Sequence, residues 1–139
     1  MLGQAIGKGF ADKHRSTGIV SGDLFVGDVA GATVLIVDDL ISTGNTLLRA
    51  AQAARRAGAA RVFTLVTHGL FMPGSAEVIA NPAIDRFVVT DAVPAFRLGS
   101  ETPHAKIDTV PAGPLLAETI RRLHTGNSLS DQPAERHGF

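Results

Sequence analysis

The chain contains no cysteine, no tryptophan and no tyrosine, and 7 phenylalanines make up its whole aromatic content. Without cysteine there is no disulfide and no thiolate metal site, which suits a reducing compartment and makes the cytoplasm the expected location. The side chains that most often stack on unpaired bases are scarce. An excess of charge of one sign is also lacking, because 13 lysines and arginines balance 13 aspartates and glutamates. No global field therefore draws the chain to nucleic acid or to an anionic membrane, neither is expected as a partner, and any phosphate binding must be local. No apolar run reaches the roughly 20 residues of a membrane span. Residues 1–10 lack the charged start and long apolar stretch of a secretory signal. There is no internal repeat and no low-complexity tract.

What is present is the material of one soluble domain: 139 residues, 45% of them hydrophobic and 19% charged. That length supports a single modest core and leaves no room for a second. The most readable stretch is 33–58, where the apolar run Val34-Leu35-Ile36-Val37 meets two aspartates and a polar turn, as a buried parallel strand feeding a loop would. Beyond the loop Leu47, Leu48, Ala51 and Ala54 recur at helical spacing, and Gly58 is placed to cap the helix end. A β-rich stretch at 61–67 follows closely, so strand, helix and strand imply a right-handed parallel crossover. Phe87-Val88-Val89-Thr90 reads as a further strand and 107–110 as a weaker one. A last helix is expected from Pro114, with Leu115, Leu116, Thr119, Ile120 and Leu123 on one face and Gly126 after it. The fold class expected is α/β, a mostly parallel sheet flanked by helices. Residues 10–23 hold Asp12-Lys13-His14-Arg15-Ser16 and two glycines without apolar periodicity, which reads as a long mobile loop. The polar stretch 132–139 reads as a frayed tail.

The segment richest in chemistry is Val37-Asp38-Asp39-Leu40-Ile41-Ser42-Thr43-Gly44-Asn45-Thr46. It lies where a strand ends and a helix begins, the edge at which open α/β sheets bind ligands. The first turn of a helix has N–H groups without internal partners and a dipole that favours an anion, so a loop of small residues there can cradle a phosphate. Ser42, Thr43 and Thr46 add hydroxyl donors. Two adjacent carboxylates beside such a pocket need a partner, either sugar hydroxyls or a divalent cation. Ribose 5-phosphate fits, its phosphate on the helix start and its cis-diol on Asp38 or Asp39. Successive strand side chains point to opposite faces, so the two acids need not share a task. The plainer reading is a helix N-terminal region whose acids favour the dipole.

The ten-residue pattern resembles the phosphoribosyl-diphosphate motif of type I phosphoribosyltransferases and their diphosphokinase relatives. Response-regulator receivers also end a strand in an acidic pair, but they do not follow it with Ser-Thr-Gly-Asn-Thr. Upstream, Asp12-Lys13-His14-Arg15-Ser16, Val20-Ser21-Gly22-Asp23 and Val26-Gly27-Asp28-Val29-Ala30-Gly31 are similar to the ribose-phosphate diphosphokinase family. So are Thr67-His68-Gly69-Leu70-Phe71 and Val89-Thr90-Asp91-Ala92-Val93-Pro94.

The resemblance implies a partial phosphoribosyltransferase-like domain over 1–131, corresponding to about half of a family subunit, the carboxyl-terminal half. An amino-terminal domain and the opening strand and helix of the second domain would then be missing. It implies transfer of a diphosphoryl group from ATP to ribose 5-phosphate, giving AMP and phosphoribosyl diphosphate. Lys13 would stabilise the transition state and Arg15 would contact phosphate. The ribose 5-phosphate site would comprise Asp38, Asp39, Ser42, Thr43, Gly44, Asn45 and Thr46. The magnesium ligands and most ATP contacts would lie in the missing half, with no metal ligand assigned here, so the chain alone is expected to be inactive. Family members commonly form homodimers or hexamers. His14 stands where many members have arginine, and Asn45 where most have glycine, a position at which positive φ and some strain are expected. His68 reads either as a ligand contact or as a structural histidine, and Asp91 as a turn residue. A non-catalytic phosphoribosyl-fold binding or regulatory subunit and a salvage phosphoribosyltransferase are the alternatives.

Overall fold

The computed structural model describes residues 28–100 and 102–130, and upstream of them the backbone of four short strands. These are β1 (Phe10–Ala11), β2 (His14–Ser16), β3 (Ile19–Ser21) and β4 (Phe25–Val26). β1 pairs antiparallel with β4, and β2 with β3. Three of these short strands fall within 10–23, the stretch expected to form a long mobile loop, whose remaining residues lie outside those described. Ile19, Val20, Phe25 and Val26 are good strand formers. Pairs only two or three residues long are too short to show a period in the sequence.

Four further strands, β5 (Thr33–Ile41), β6 (Arg61–Gly69), β7 (Arg86–Thr90) and β8 (Ile107–Val110), form one all-parallel sheet in that order. The helices are α1 (Asn45–Arg56), α2 (Ser75–Ala80) and α3 (Gly113–Thr125). The chain thus has the expected α/β architecture. The short α2 and a 3-10 turn at His104–Lys106 were not legible as elements.

One face of the sheet carries the core. Val62, Thr64 and Val66 of β6 and Phe87 and Val89 of β7 are buried, as are Leu47, Ala51 and Ala54 of α1 and Val78 and Ile79 of α2. Alanines at the contact let α1 lie close to the strands, and Gly58, at φ 92°, ends it in the left-handed conformation expected of a helix stop. Arg55 ties the end of α1 to the start of two strands. Its guanidinium donates to the carboxylate of Asp85 at 2.6 Å and to the carbonyls of Ala59, Ala60 and Ala83 at 3.3, 2.7 and 3.2 Å. The same carboxylate oxygen accepts the N–H of Val62 at 2.6 Å. Lys106 donates to the carbonyls of Asn81 and Ile84, and burial pushes its ammonium below the usual lysine range although Asp85 pulls the other way.

The opposite face is only partly covered among the described residues. Leu35 and Val37 of β5, the edge strand, are 54% and 74% exposed. The expected amphipathic helix forms as α3, with Gly126 at φ 70° after it, yet none of its residues is buried and Ile120 and Leu123 stand 67% and 63% exposed.

Candidate anion-binding site at the strand edge

The site is built where β5 runs out. Up to Asp38 burial alternates, with Val34, Ile36 and Asp38 half-buried and Leu35, Val37 and Asp39 exposed. The alternation then slips by one, since Leu40 is 40% exposed and Ile41 only 1%. The chain turns there and Ile41 anchors the turn in the core.

Residues 70–72 hold that turn from behind. The carbonyl of Ile41 accepts the N–H of Leu70 at 2.9 Å and of Phe71 at 3.3 Å, and the carbonyl of Ser42 accepts the N–H of Met72 at 3.0 Å. No peptide bond among the described residues is cis, and in a trans peptide the N–H points opposite to the C=O. The N–H groups of Ser42 and Thr43 consequently face away from the 70–72 segment, toward the open edge. Gly44 follows at φ 86° and accepts the N–H of Leu48 at 2.9 Å, opening α1. A Cβ at Gly44 would stand 2.9 Å from Val78, so the loop lies directly on α2.

No acceptor among the described residues engages the backbone N–H groups of 42–47. α1 has no side-chain cap and no acid in its first turn. Its amino end thus keeps both its unpaired donors and its positive dipole field, an arrangement that attracts an anion. The hydroxyls of Ser42 and Thr46 are exposed and unpaired among the described residues, while Thr43 Oγ1 accepts from Asn45 Nδ2 at 3.2 Å.

The residues singled out in the sequence from Asp38 to Thr46 thus occupy one strand end, one loop and one helix start. Asp38, on the face covered by α1, accepts the N–H of Asp39 on Oδ1 at 3.0 Å. The carboxylate of Asp39 lies on the other face and has no partner among the described residues. Asn45 is the first residue of α1, and the positive φ falls on Gly44 instead, so the strain expected at Asn45 is absent. His68 is exposed in register with Leu40 and has no partner among the described residues, unlike a satisfied structural histidine. Asp91 joins two segments structurally, its Oδ1 accepting the N–H of Ala112 at 2.8 Å. Lys13 and the side chain of Arg15 lie outside the described residues, as does the tail at 132–139. The 70–72 support escaped sequence reading, although Pro73-Gly74-Ser75 carries the turn and helix-start chemistry that accompanies it.

A parallel α/β domain with free amides and two acids at the carboxyl edge of a strand is a class built to hold an anionic ligand. Residues 22–132 match the model of the phosphoribosyl synthetase-associated domain, and the chain belongs to that family. Among curated proteins it is 42% identical over 120 residues to the ribose-phosphate pyrophosphokinase of Chromobacterium violaceum, covering 86% of this chain and 36% of the relative. It is 34% identical over 131 residues to ribose-phosphate pyrophosphokinase 5 of Schizosaccharomyces pombe, covering 93% of this chain and 37% of the relative. The crystal structure of phosphoribosylpyrophosphate synthetase from Mycobacterium smegmatis superimposes with a TM-score of 0.65 at 30% identity, over 74% of this chain and 34% of that one. The chain therefore spans little more than a third of the length of these relatives, less than the half expected from the resemblance.

Proposed function

We propose that this chain is the carboxyl-terminal part of a ribose-phosphate pyrophosphokinase and supplies its ribose 5-phosphate site. The observation that carries this reading is the run of unpartnered amides at 42–47, with those of Ser42 and Thr43 turned toward the open edge, next to Asp38 and Asp39. The amides and the hydroxyls of Ser42 and Thr46 hold the 5-phosphate; Asp38 and Asp39 accept hydrogen bonds from the ring hydroxyls. Thr43, Gly44 and Asn45 shape the cradle.

In the reaction proposed, the C1 hydroxyl of ribose 5-phosphate attacks the β-phosphorus of ATP. The new bond joins C1–O to that phosphorus, the bond to the bridging oxygen of AMP breaks, and the hydroxyl proton is released. Charge grows on the transferring and leaving oxygens, where fixed cations lower the barrier. Lys13 is assigned that role and Arg15 a phosphate contact. Magnesium would supply further charge neutralisation when bound. Among the described residues no three His, Cys, Asp or Glu gather to hold a metal, and no step is assigned to one. Its ligands and the adenine contacts are assigned to the portion of the relatives that this chain does not span. ATP as co-substrate and the absence of cysteine favour the cytoplasm, and assembly into homo-oligomers completes the reading.

Titration calorimetry on the 139-residue chain tests it. Ribose 5-phosphate should bind weakly, yet more tightly than inorganic phosphate, because only the sugar engages the acids. Equal affinities would remove the diol assignment. The chain alone should release no AMP from ATP, and release that depends on ribose 5-phosphate would show that the catalytic parts are all present.

A further inference from the structure

We propose that Phe71 is a positioning residue for the phosphate loop, acting through the bend that links β6 to α2; the inference rests on the ribose 5-phosphate reading of that loop. Phe71 has φ 46°, the only positive φ on a non-glycine among the described residues, and it is 1% exposed. A bulky residue rarely adopts that conformation, and strained backbone of this kind persists where surrounding structure enforces it. What enforces it is visible on both sides. The ring lies over Gly69, where an added Cβ would come within 2.5 Å of Phe71 Cε2 and 2.9 Å of Cζ, so the glycine is the only residue that leaves the ring its seat. With the ring seated, the backbone turns so that the N–H groups of Leu70 and Phe71 both reach the carbonyl of Ile41, and that of Met72 reaches Ser42. Arg97 secures the bend from the far side, its Nη1 donating to the carbonyl of Leu70 at 3.3 Å.

The consequence lies one peptide further on. Fixing the carbonyls of Ile41 and Ser42 fixes the planes that carry the N–H groups of Ser42 and Thr43, so a side chain without contact to the ligand sets the direction of the donors. A ring displaced from Gly69 would free those planes to rotate and misalign the cradle while the sheet and α1 remain folded.

Gly69→Ala tests this by unseating the ring. Thermal unfolding would match the variant to Ile84→Val, a core truncation away from the bend, and calorimetry with ribose 5-phosphate would run where both are fully folded. Loss of one or two aligned amides should weaken binding by about tenfold in Gly69→Ala, with Ile84→Val unchanged. Because leucine lacks the Cε2 and Cζ atoms that the new methyl would strike, Gly69→Ala/Phe71→Leu should regain part of the affinity. Amide hydrogen exchange at 70–72, whose N–H groups donate to Ile41 and Ser42, gives a readout without ligand and should quicken in Gly69→Ala alone. Unchanged affinity and exchange in Gly69→Ala would overturn the proposal while leaving the ribose reading intact. Faster exchange in a chain that never binds ribose 5-phosphate would support the positioning role and overturn that reading instead.

Discussion

Asp38 and Asp39 show how one residue step changes a carboxylate's chemistry, since one accepts its neighbour's N–H on the covered face and the other stands free in solvent. Each accepts from a sugar hydroxyl in the function proposed, and removing a charged acceptor costs about 1–2 kcal/mol. Asp38→Asn and Asp39→Asn should therefore each weaken ribose 5-phosphate binding by roughly tenfold and leave inorganic phosphate binding unchanged in parallel calorimetric titrations. Arg55 and Asp85 make the converse case, a pair whose role is structural. The two side chains are 27% and 38% exposed, so solvent screens the ion pair itself, but Arg55 also satisfies three carbonyls. Arg55→Met should lower stability by about 2 kcal/mol, read as a shift of the urea midpoint. Glu118 gives a pH signature. Hydrogen bonds from Arg121 and Arg122 hold its carboxyl at about 2 against an ordinary 4.5. A depressed carboxyl contributes stability that is present above pH 4.5 and is lost as pH falls toward 2. Wild type should be more stable than Glu118→Gln at neutral pH, and the gap should close over that interval in thermal melts followed by circular dichroism.

At the scale of elements, β5, the loop and α1 work as a unit because Gly44 permits it. Its φ of 86° and its seat 2.9 Å from Val78 leave no space for a side chain. Gly44→Ala should destabilise the chain by about 2 kcal/mol and weaken ribose 5-phosphate binding together with inorganic phosphate, since the amides themselves move. Asn45→Gly should leave binding within about twofold of wild type, because Asn45 carries ordinary helical backbone and glycine adds mainly flexibility. This contrast also marks what was legible in the sequence. β5 and α1 were readable because Val34 and Ile36 and then Leu47, Ala51 and Ala54 keep the periods of a strand and a helix against one core. Asp38 to Thr46 stood out because acids, hydroxyls and glycine meet at that boundary. The short paired strands at 10–26 were not readable, having too few residues to reveal a period. The assignment of strain to Asn45 missed its position because composition does not fix where a helix begins. The 70–72 bend was hidden for another reason: its role consists of backbone bonds to Ile41 and Ser42, which no side-chain pattern records.

For the whole molecule, the decisive feature is that the sheet is buried on one face and, among the described residues, only partly covered on the other. Phe63, Leu65 and Val88 are half-buried on the second face, beside Leu35 and Val37 on an edge strand with no outer neighbour among the described residues. α3 adds Leu115, Leu116, Ile120 and Leu123, all more than half exposed. Parallel sheets are ordinarily covered on both faces, and apolar surface beside an unpaired strand edge favours association. The relatives are nearly three times as long as the segment aligned here, so in them these surfaces have further chain available as cover. Alone, the 139-residue chain should associate with rising concentration, its sedimentation coefficient climbing in a velocity series. Association should strengthen at high salt, since burial of apolar surface drives it and the net charge is zero. Val37→Lys should suppress it, because a charge at the most exposed apolar position of the edge strand must be desolvated on contact, and should leave α1, the loop and the phosphate affinity as they are. A chain that sediments as one monomeric species throughout the series would mean that the partly covered face is tolerated in solution.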